Sequence, residues 1–226
     1  MTVRAVIFDL DGTLIDSAVL CAGILTDMLR DRGCSRVVTA DCAKPHMSGG
    51  GPYLISTMLG EECGDVEAEV IEFRRRYAEL PTPETSLFDG VLRGLKRLRA
   101  GGLDLAICSN KPQHLCEKVV ADLGIGALFS TVVGGTPGRK PKPEPELLEL
   151  TMETLAVRPG DCLYVGDSDI DHAVASASGV PFLLVDYGYA PAGWDRSGVT
   201  AFIQFADLVE AISVAHTPVS VKQRAA

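Results

Sequence analysis

The chain has no apolar run approaching the ~18 residues that suggest a membrane span, and it lacks the basic-then-apolar start of a secretory signal. It also has no C-x-x-C pair. Its seven cysteines stand scattered at 21, 34, 42, 63, 108, 116 and 162. An odd, dispersed set argues against a disulfide framework and reads as reduced thiols in a cytoplasmic protein. His46, His114, His172 and His216 do not fall at ligand spacings from those cysteines, which argues against a zinc site. Basic residues are scarce: 21 Lys and Arg face 30 Asp and Glu, for a net charge of −9. That balance argues against nucleic-acid or anionic-membrane partners. An anionic substrate must therefore be drawn in by local groups. No internal repeat is present.

What remains is an ordinary globular composition, 46% hydrophobic and 23% charged over 226 residues, enough for one core with a smaller module. One stretch organises it: Val6-Ile7-Phe8-Asp9-Leu10-Asp11-Gly12-Thr13-Leu14-Ile15-Asp16-Ser17. A short apolar run reads as a buried strand that delivers Asp9 to its carboxyl end. Asp11 follows two residues later, and Gly12 lets the chain turn away. In a parallel α/β sheet, ligands bind at that edge.

Residues 17–84 carry helical patterns and no strand pattern. Ser17 is placed as an N-cap of a helix running to about Arg32, and Gly33 as its stop. A glycine-rich loop follows, Ser48-Gly49-Gly50-Gly51-Pro52. Asp65 caps a further helix whose apolar stripe includes Val70, Phe73 and Tyr77. Pro81-Thr82-Pro83 breaks it. From about residue 85 to 215 helices and strands alternate, with strands expected at Leu103–Cys108, Thr131–Val133, Cys162–Val165 and Phe182–Val185. Alternation of this kind means a mostly parallel sheet covered by helices. Residues 216–226 lack an apolar stripe and are expected to form a frayed, disordered tail.

The strand ends collect a coherent set of groups. Asp9 and Asp11 follow the first strand, Ser109 and Asn110 the second, and Asp167 and Asp171 a later one. Lys140 and Lys142 lie before the Pro145 helix. This set suits phosphoryl transfer. Attack of a carboxylate on a phosphate brings two anions together, and a divalent cation offsets their repulsion. Mg²⁺ fits because it is a hard ion that takes few carboxylates. Asp9 is assigned as nucleophile and metal ligand, Asp167 as a second ligand, with a further ligand at Asp11 through a backbone carbonyl. Ser109 and the amides after it are assigned to the phosphoryl oxygens. Lys142 or Lys140 neutralises charge. Asp11 starts protonated, protonates the leaving alkoxide, and then deprotonates the attacking water.

Asp9-Leu10-Asp11-Gly12-Thr13, Ser109, Lys142-Pro143 and Gly166-Asp167-Ser168-Asp169-Ile170-Asp171 resemble, in order, the four motifs of the haloacid dehalogenase (HAD) superfamily. Ile107-Cys108-Ser109-Asn110-Lys111 and Lys142-Pro143-Glu144-Pro145 are similar to its phosphoglycolate-phosphatase-like branch. The resemblance spans about residues 3 to 212, and the spacing to Asp167 favours Lys142 over Lys140. It implies a Rossmann-like core over residues 1–16 and 85–215, with a small all-helical cap inserted after the first motif at residues 17–84. It also implies Mg²⁺, an aspartyl-phosphate intermediate and closure over a small substrate, with Thr13 near the phosphate and Asp171 behind Asp167. Gly50 and Gly51 fall where this branch has its cap substrate loop. An acid at Asp11 points to phosphate esters, not dehalogenation.

The expected activity is that of a phosphatase acting on a small metabolite, 2-phosphoglycolate among the candidates. A sugar phosphomutase is the alternative. The glycine-rich loop and Thr136 depart from the branch pattern, so the substrate stays open. A non-enzymatic binder should lack a catalytic acid, and none is missing. Monomer and homodimer are both compatible with the sequence.

Overall fold

The computed structural model describes residues 3–216. Its sheet has six parallel strands in the order β3-β2-β1-β4-β5-β6. They are β1 (Ala5–Phe8), β2 (Asp104–Pro112), β3 (Thr131–Gly135), β4 (Cys162–Gly166), β5 (Phe182–Val185) and β6 (Ala201–Phe202). β1 is central and every residue in it is buried. Its side chains alternate between two apolar layers, as a period of two requires. Val6 and Phe8 belong to the larger cluster, with Leu95 of α5 (Val91–Ala100) and Phe205 of α9 (Phe205–Ala215). Ala5 and Ile7 belong to the other, with Leu147 of α7 (Glu146–Leu155) and Val174 of α8 (Asp169–Ala177). A strand buried on both faces reads as a continuous apolar run, which is what Ala5–Phe8 is.

Strand order reverses beside β1. β2 and β3 lie to one side, and β4, β5 and β6 to the other. This switch point opens a crevice at the carboxyl ends of β1 and β4.

Between β1 and β2 the chain forms α1 (Ala18–Arg30), α2 (Ala40–Ala43), α3 (Gly51–Leu59) and α4 (Val66–Glu79) before α5. The two links into these helices run side by side. The Asp16 N–H donates to Ser86 O at 2.7 Å, and the Phe88 N–H to Leu14 O at 3.1 Å. Asp65 caps α4 as expected, accepting from the Ala68 N–H. No helix of the described residues is long and apolar enough to cross a membrane.

The sequence reading erred at several boundaries. Ser17 precedes α1 but does not cap it. The Ala18 N–H goes to Asp16 Oδ1 at 3.2 Å, and the Ser17 hydroxyl is buried without a hydrogen bond. β2 runs on past Cys108 to Pro112 with a register shift against β3, so Ser109 and Asn110 lie within its extension. α8 begins three residues before His172, because Ser168 and Asp171 form a capping box. The two-residue β6 carries no alternation long enough to read. His216 lies within the described residues, with Nδ1 2.8 Å from Val3 O and Nε2 3.1 Å from Gly101 O. The remainder of the expected tail lies outside them.

Candidate active site

The crevice gathers Asp9, Asp167, Asp171 and Lys142, all buried. Asp9 is the first residue after β1, and its N–H donates to Val165 O at 2.9 Å, which ties it to β4. Asp167 follows β4. Its Oδ1 accepts from Thr13 Oγ1 at 3.0 Å, and its Oδ2 from the Tyr189 N–H at 2.6 Å. Thr13, expected at the phosphate, therefore spends its hydroxyl on Asp167. Gly12 has φ +84°, and a Cβ there would lie 2.2 Å from Asp167 Oδ2. Only glycine permits this turn and this approach together.

Lys142 is the lysine of the site. Its ammonium donates to Asp171 Oδ1 at 2.7 Å and Tyr164 Oη at 2.9 Å, and stands 2.9 Å from Asp9 Oδ1. Lys140 is exposed, and only its backbone N–H is engaged, by Glu146. Asp171 Oδ1 accepts from Lys142 and Tyr164, while Oδ2 accepts from the N–H groups of Asp167 and Ser168 and from Ser168 Oγ. Asn110 holds Lys142 from the other side. Its side-chain amide donates to Lys142 O at 2.9 Å and accepts from the Lys142 N–H at 2.7 Å. The Asn110 amide thus serves the lysine's peptide, leaving its backbone for any contact with substrate.

Asp11 does not join the carboxylate cluster. Both its oxygens are 3.0 Å from Lys111 Nζ, and that ammonium also lies 4.1 Å from the centre of the Tyr77 ring in α4. Lys111 had no assigned role in the sequence. A lysine two residues after Ser109, at the end of a strand beside β1, was the available signal.

These groups open into a cavity of about 170 Å³. Its floor is the strand-end set, including Asp9, Asp11, Ser109, Lys142 and Asp167. Its roof comes from residues 17–84 and combines apolar Leu54, Ile55, Val70 and Phe73 with Ser48, Arg74 and Tyr77. Gly50 and Gly51 lie on that roof, at the start of α3. The expected loop is shorter than read, because Lys44–Gly49 coils as a 3₁₀ helix and α3 begins at Gly51.

Burial sets the electrostatics. It pushes the Asp9 carboxyl up to about 6, against the pull of Lys142. It drives Asp167 well above the usual carboxylate range, reinforced by the charges of Asp171 and Asp9. Lys142 is held protonated by Asp171 and Asp9, which outweigh its burial.

The residues fit a divalent cation. Asp9, Asp167 and Asp171 each offer an oxygen within 4.8 Å of the others. Asp171 is saturated by its donors, which leaves Asp9 and Asp167. Asp9 Oδ1 is buried and accepts no hydrogen bond; Lys142 is close to it but off the bonding direction. The Lys142 ammonium offsets the charge of this buried oxygen, while its hydrogen-bonding capacity stays unfilled and free to meet a cation or ligand. The sequence assignment gave Asp11 to the metal through a backbone carbonyl only, and the side-chain geometry is compatible with that. The Asp11 side chain is committed to Lys111, so only its backbone remains to serve a metal.

The model of the haloacid dehalogenase-like hydrolase family matches residues 6–185. A phosphoglycolate phosphatase of Rhodobacter capsulatus is 36% identical over 191 residues, 82% of this chain and 85% of that protein. A plasmid-borne phosphoglycolate phosphatase of Cupriavidus necator is 35% identical over 219 residues, 95% of this chain and 93% of its own. Among solved structures, a predicted phosphoglycolate phosphatase from Haemophilus somnus superposes with a TM-score of 0.82 at 25% identity, covering 94% of this chain and 99% of that one.

Proposed function

This chain belongs to the haloacid dehalogenase-like hydrolase family as a phosphoric monoester hydrolase, and on that premise we propose that it is a Mg²⁺-dependent phosphatase of a small phosphorylated metabolite, working through an aspartyl-phosphate. The observation that carries this reading is the Asp9 carboxylate, which lines the cavity beside Asp167 with the Lys142 ammonium 2.9 Å from its Oδ1. We assign residues 17–84 as a cap that hinges on the paired links at Leu14–Asp16 and Ser86–Phe88, with residues 1–16 and 85–215 as the core. Cytoplasmic location accords with seven unpaired cysteines. Monomer or homodimer both suit the reading.

Asp9 and Asp167, with a backbone carbonyl near Asp11, would hold Mg²⁺. The bound ion supplies charge neutralisation between carboxylate and phosphate. Asp9 attacks phosphorus and displaces the alkoxide, forming the aspartyl-phosphate. Lys142 stands at the nucleophile as a fixed point charge. The Ser109 hydroxyl and the backbone N–H groups after it hydrogen-bond the phosphoryl oxygens as charge moves onto them. Asp11 gives its proton to the leaving oxygen, then takes one from the water that cleaves the intermediate. A protonated Asp11 cannot keep both oxygens on an ammonium. The acid step therefore requires the Asp11–Lys111 pair, closed in this structure, to open. Asp171, Tyr164 and Asn110 hold Lys142 in place, and Thr13 holds Asp167.

The relatives' name makes 2-phosphoglycolate the first substrate to try. A cavity of about 170 Å³ suits a ligand of that scale; an engineered apolar cavity of about 150 Å³ admits benzene. The test is phosphate release from a panel of small phosphate esters with Mg²⁺, 2-phosphoglycolate included. Silence across the panel refutes the phosphatase. A bisphosphate-dependent isomerisation of a sugar phosphate with little phosphate released would select the mutase.

A further inference from the structure

The segment Tyr187-Gly188-Tyr189 after β5 had no role in the sequence reading, yet it touches both the carboxylates and the links. Tyr189 is 4% exposed. Its N–H donates to Asp167 Oδ2 at 2.6 Å. Its hydroxyl donates to Asp16 Oδ1 at 2.8 Å and accepts from the Ala18 N–H at 3.2 Å. Asp16 belongs to the first link, and its other oxygen pairs with Lys44 Nζ at 2.9 Å, out in the helical block. Through its N–H, Asp16 is also bonded to Ser86 of the second link.

The fit leaves no slack. A Cβ on Gly188 would lie 2.3 Å from Asp167 Cβ and 2.5 Å from Gly12 O. A Cβ on Gly12 would lie 2.7 Å from the Tyr189 ring. Tyr187 braces the same loop by donating to Thr13 O at 2.8 Å. Displacing the Tyr189 hydroxyl therefore shifts a peptide that is bonded to Asp167.

We propose that Tyr189 is a positioning residue that couples the links at Asp16 to Asp167, so that divalent-cation binding at Asp9 and Asp167 and the placement of the helical block depend on each other. The inference rests on the proposed function only in taking those two carboxylates as the cation site. Coupling of this kind is reciprocal: a contact that favours the block's observed position tightens cation binding by the factor with which the cation favours that position. The chain of contacts is Lys44 to Asp16 to Tyr189 to Asp167, and each link is a hydrogen bond or ion pair given above. A tyrosine that merely fills the core would make none of them, and losing its hydroxyl would cost stability alone.

Tyr189→Phe tests this, because it keeps the ring and the N–H to Asp167 and removes only the hydroxyl. Mg²⁺ binding is measured by isothermal titration calorimetry without substrate, and amide exchange at residues 14–18 and 84–88 is followed with and without Mg²⁺. The variant is expected to bind Mg²⁺ about tenfold more weakly, the low end of what loss of a ligand's supporting partner costs. In the wild type Mg²⁺ slows exchange at the links, and in the variant that response is lost. Lys44→Met, far from the carboxylates, weakens Mg²⁺ binding in the same direction, and it carries the test should Tyr189→Phe fail to fold. Unchanged Mg²⁺ affinity in the folded variants, links indifferent to Mg²⁺, or a wild type that binds no Mg²⁺ overturns the proposal. A wild type that binds Mg²⁺ but releases no phosphate from any ester refutes the phosphatase instead, and calorimetry still reads the coupling.

Discussion

Lys142 Nζ donates to Asp171 Oδ1 at 2.7 Å while standing 2.9 Å from Asp9 Oδ1, with all three side chains buried. One ammonium thus serves two carboxylates at once. Removing it leaves both anions buried without a cation. Lys142→Met is expected to abolish turnover and to destabilise the protein by about 3–5 kcal/mol, the usual cost of breaking a buried pair from one side. Lys142→Arg should not rescue activity, because a planar guanidinium cannot occupy the compact site shared by Tyr164 Oη and Cys108 O. Urea unfolding at pH 7 reads the stability. A loss below about 1 kcal/mol, the range of exposed pairs, would contradict this account.

The floor of this site was legible because Asp9, Ser109 and Asp167 sit in or just past strands, which short apolar runs signal strongly, while Lys142 comes from the loop before α7. Asp9, Ser109, Asp167 and Lys142 meet because four chain segments share one sheet edge. That convergence follows from parallel alternation alone. What pattern reading could not supply was the partner of each side chain. The Asp11 side chain, read as the acid and base, has both oxygens on Lys111 Nζ, Thr13 braces the Asp167 side chain, and Asn110 braces the backbone of Lys142. Tyr189 escaped notice because it lies in a stretch with no periodicity, and neither its N–H to Asp167 nor its hydroxyl to Asp16 leaves a trace in the sequence. Gly50 and Gly51 line the roof, but the helix start beside them was hidden by glycine and proline, poor helix formers in isolation.

Asp9→Asn should separate chemistry from folding. The amide preserves shape but is not a nucleophilic anion, so turnover is expected to vanish. Stability should hold or rise in metal-free protein at pH 7, because burial already disfavours the Asp9 charge, as its rise to about 6 records. Steady-state phosphate release and thermal unfolding in EDTA check the two halves. Retained turnover would refute the nucleophile. A clear drop in melting temperature would show that the Asp9 charge is needed by Lys142 even without metal.

Mg²⁺ should compete with protons. Asp9 titrates near 6 in the folded, metal-free protein against 3.8 ordinarily, and Asp167 is raised as well. For an acid with a raised value, the folded state holds a proton that the unfolded chain has released. The Asp9 contribution therefore favours folding at low pH and is lost as pH rises from about 4 to about 6. Mg²⁺ needs the ionised forms, so its affinity should fall as pH drops below about 6, by up to tenfold per pH unit for each carboxylate that must be deprotonated. Mg²⁺ should accordingly raise the melting temperature at pH 7.5 and much less at pH 5, relative to EDTA. Equal stabilisation at both values would exclude proton competition at these carboxylates.

Gly12 and Gly138 allow backbone strain to be separated from crowding. Both have positive φ, +84° and +85°. A Cβ at Gly138 meets nothing within 4 Å, whereas one at Gly12 would lie 2.2 Å from Asp167 Oδ2. Each alanine substitution carries the left-handed strain of about 1–2 kcal/mol. Only Gly12→Ala also drives Asp167 away from Asp9 and from the Tyr189 N–H. Gly138→Ala is therefore expected to lower the melting temperature while keeping Mg²⁺ affinity and turnover. Gly12→Ala should lower the melting temperature further, and weaken Mg²⁺ binding and turnover by at least about tenfold, as for lost metal-site support. Calorimetry with Mg²⁺ on both variants, beside their unfolding curves, decides between the two effects. Equal Mg²⁺ affinity in both would mean that Asp167 shifts without cost, and that the close approach of Gly12 has no bearing on the cation site.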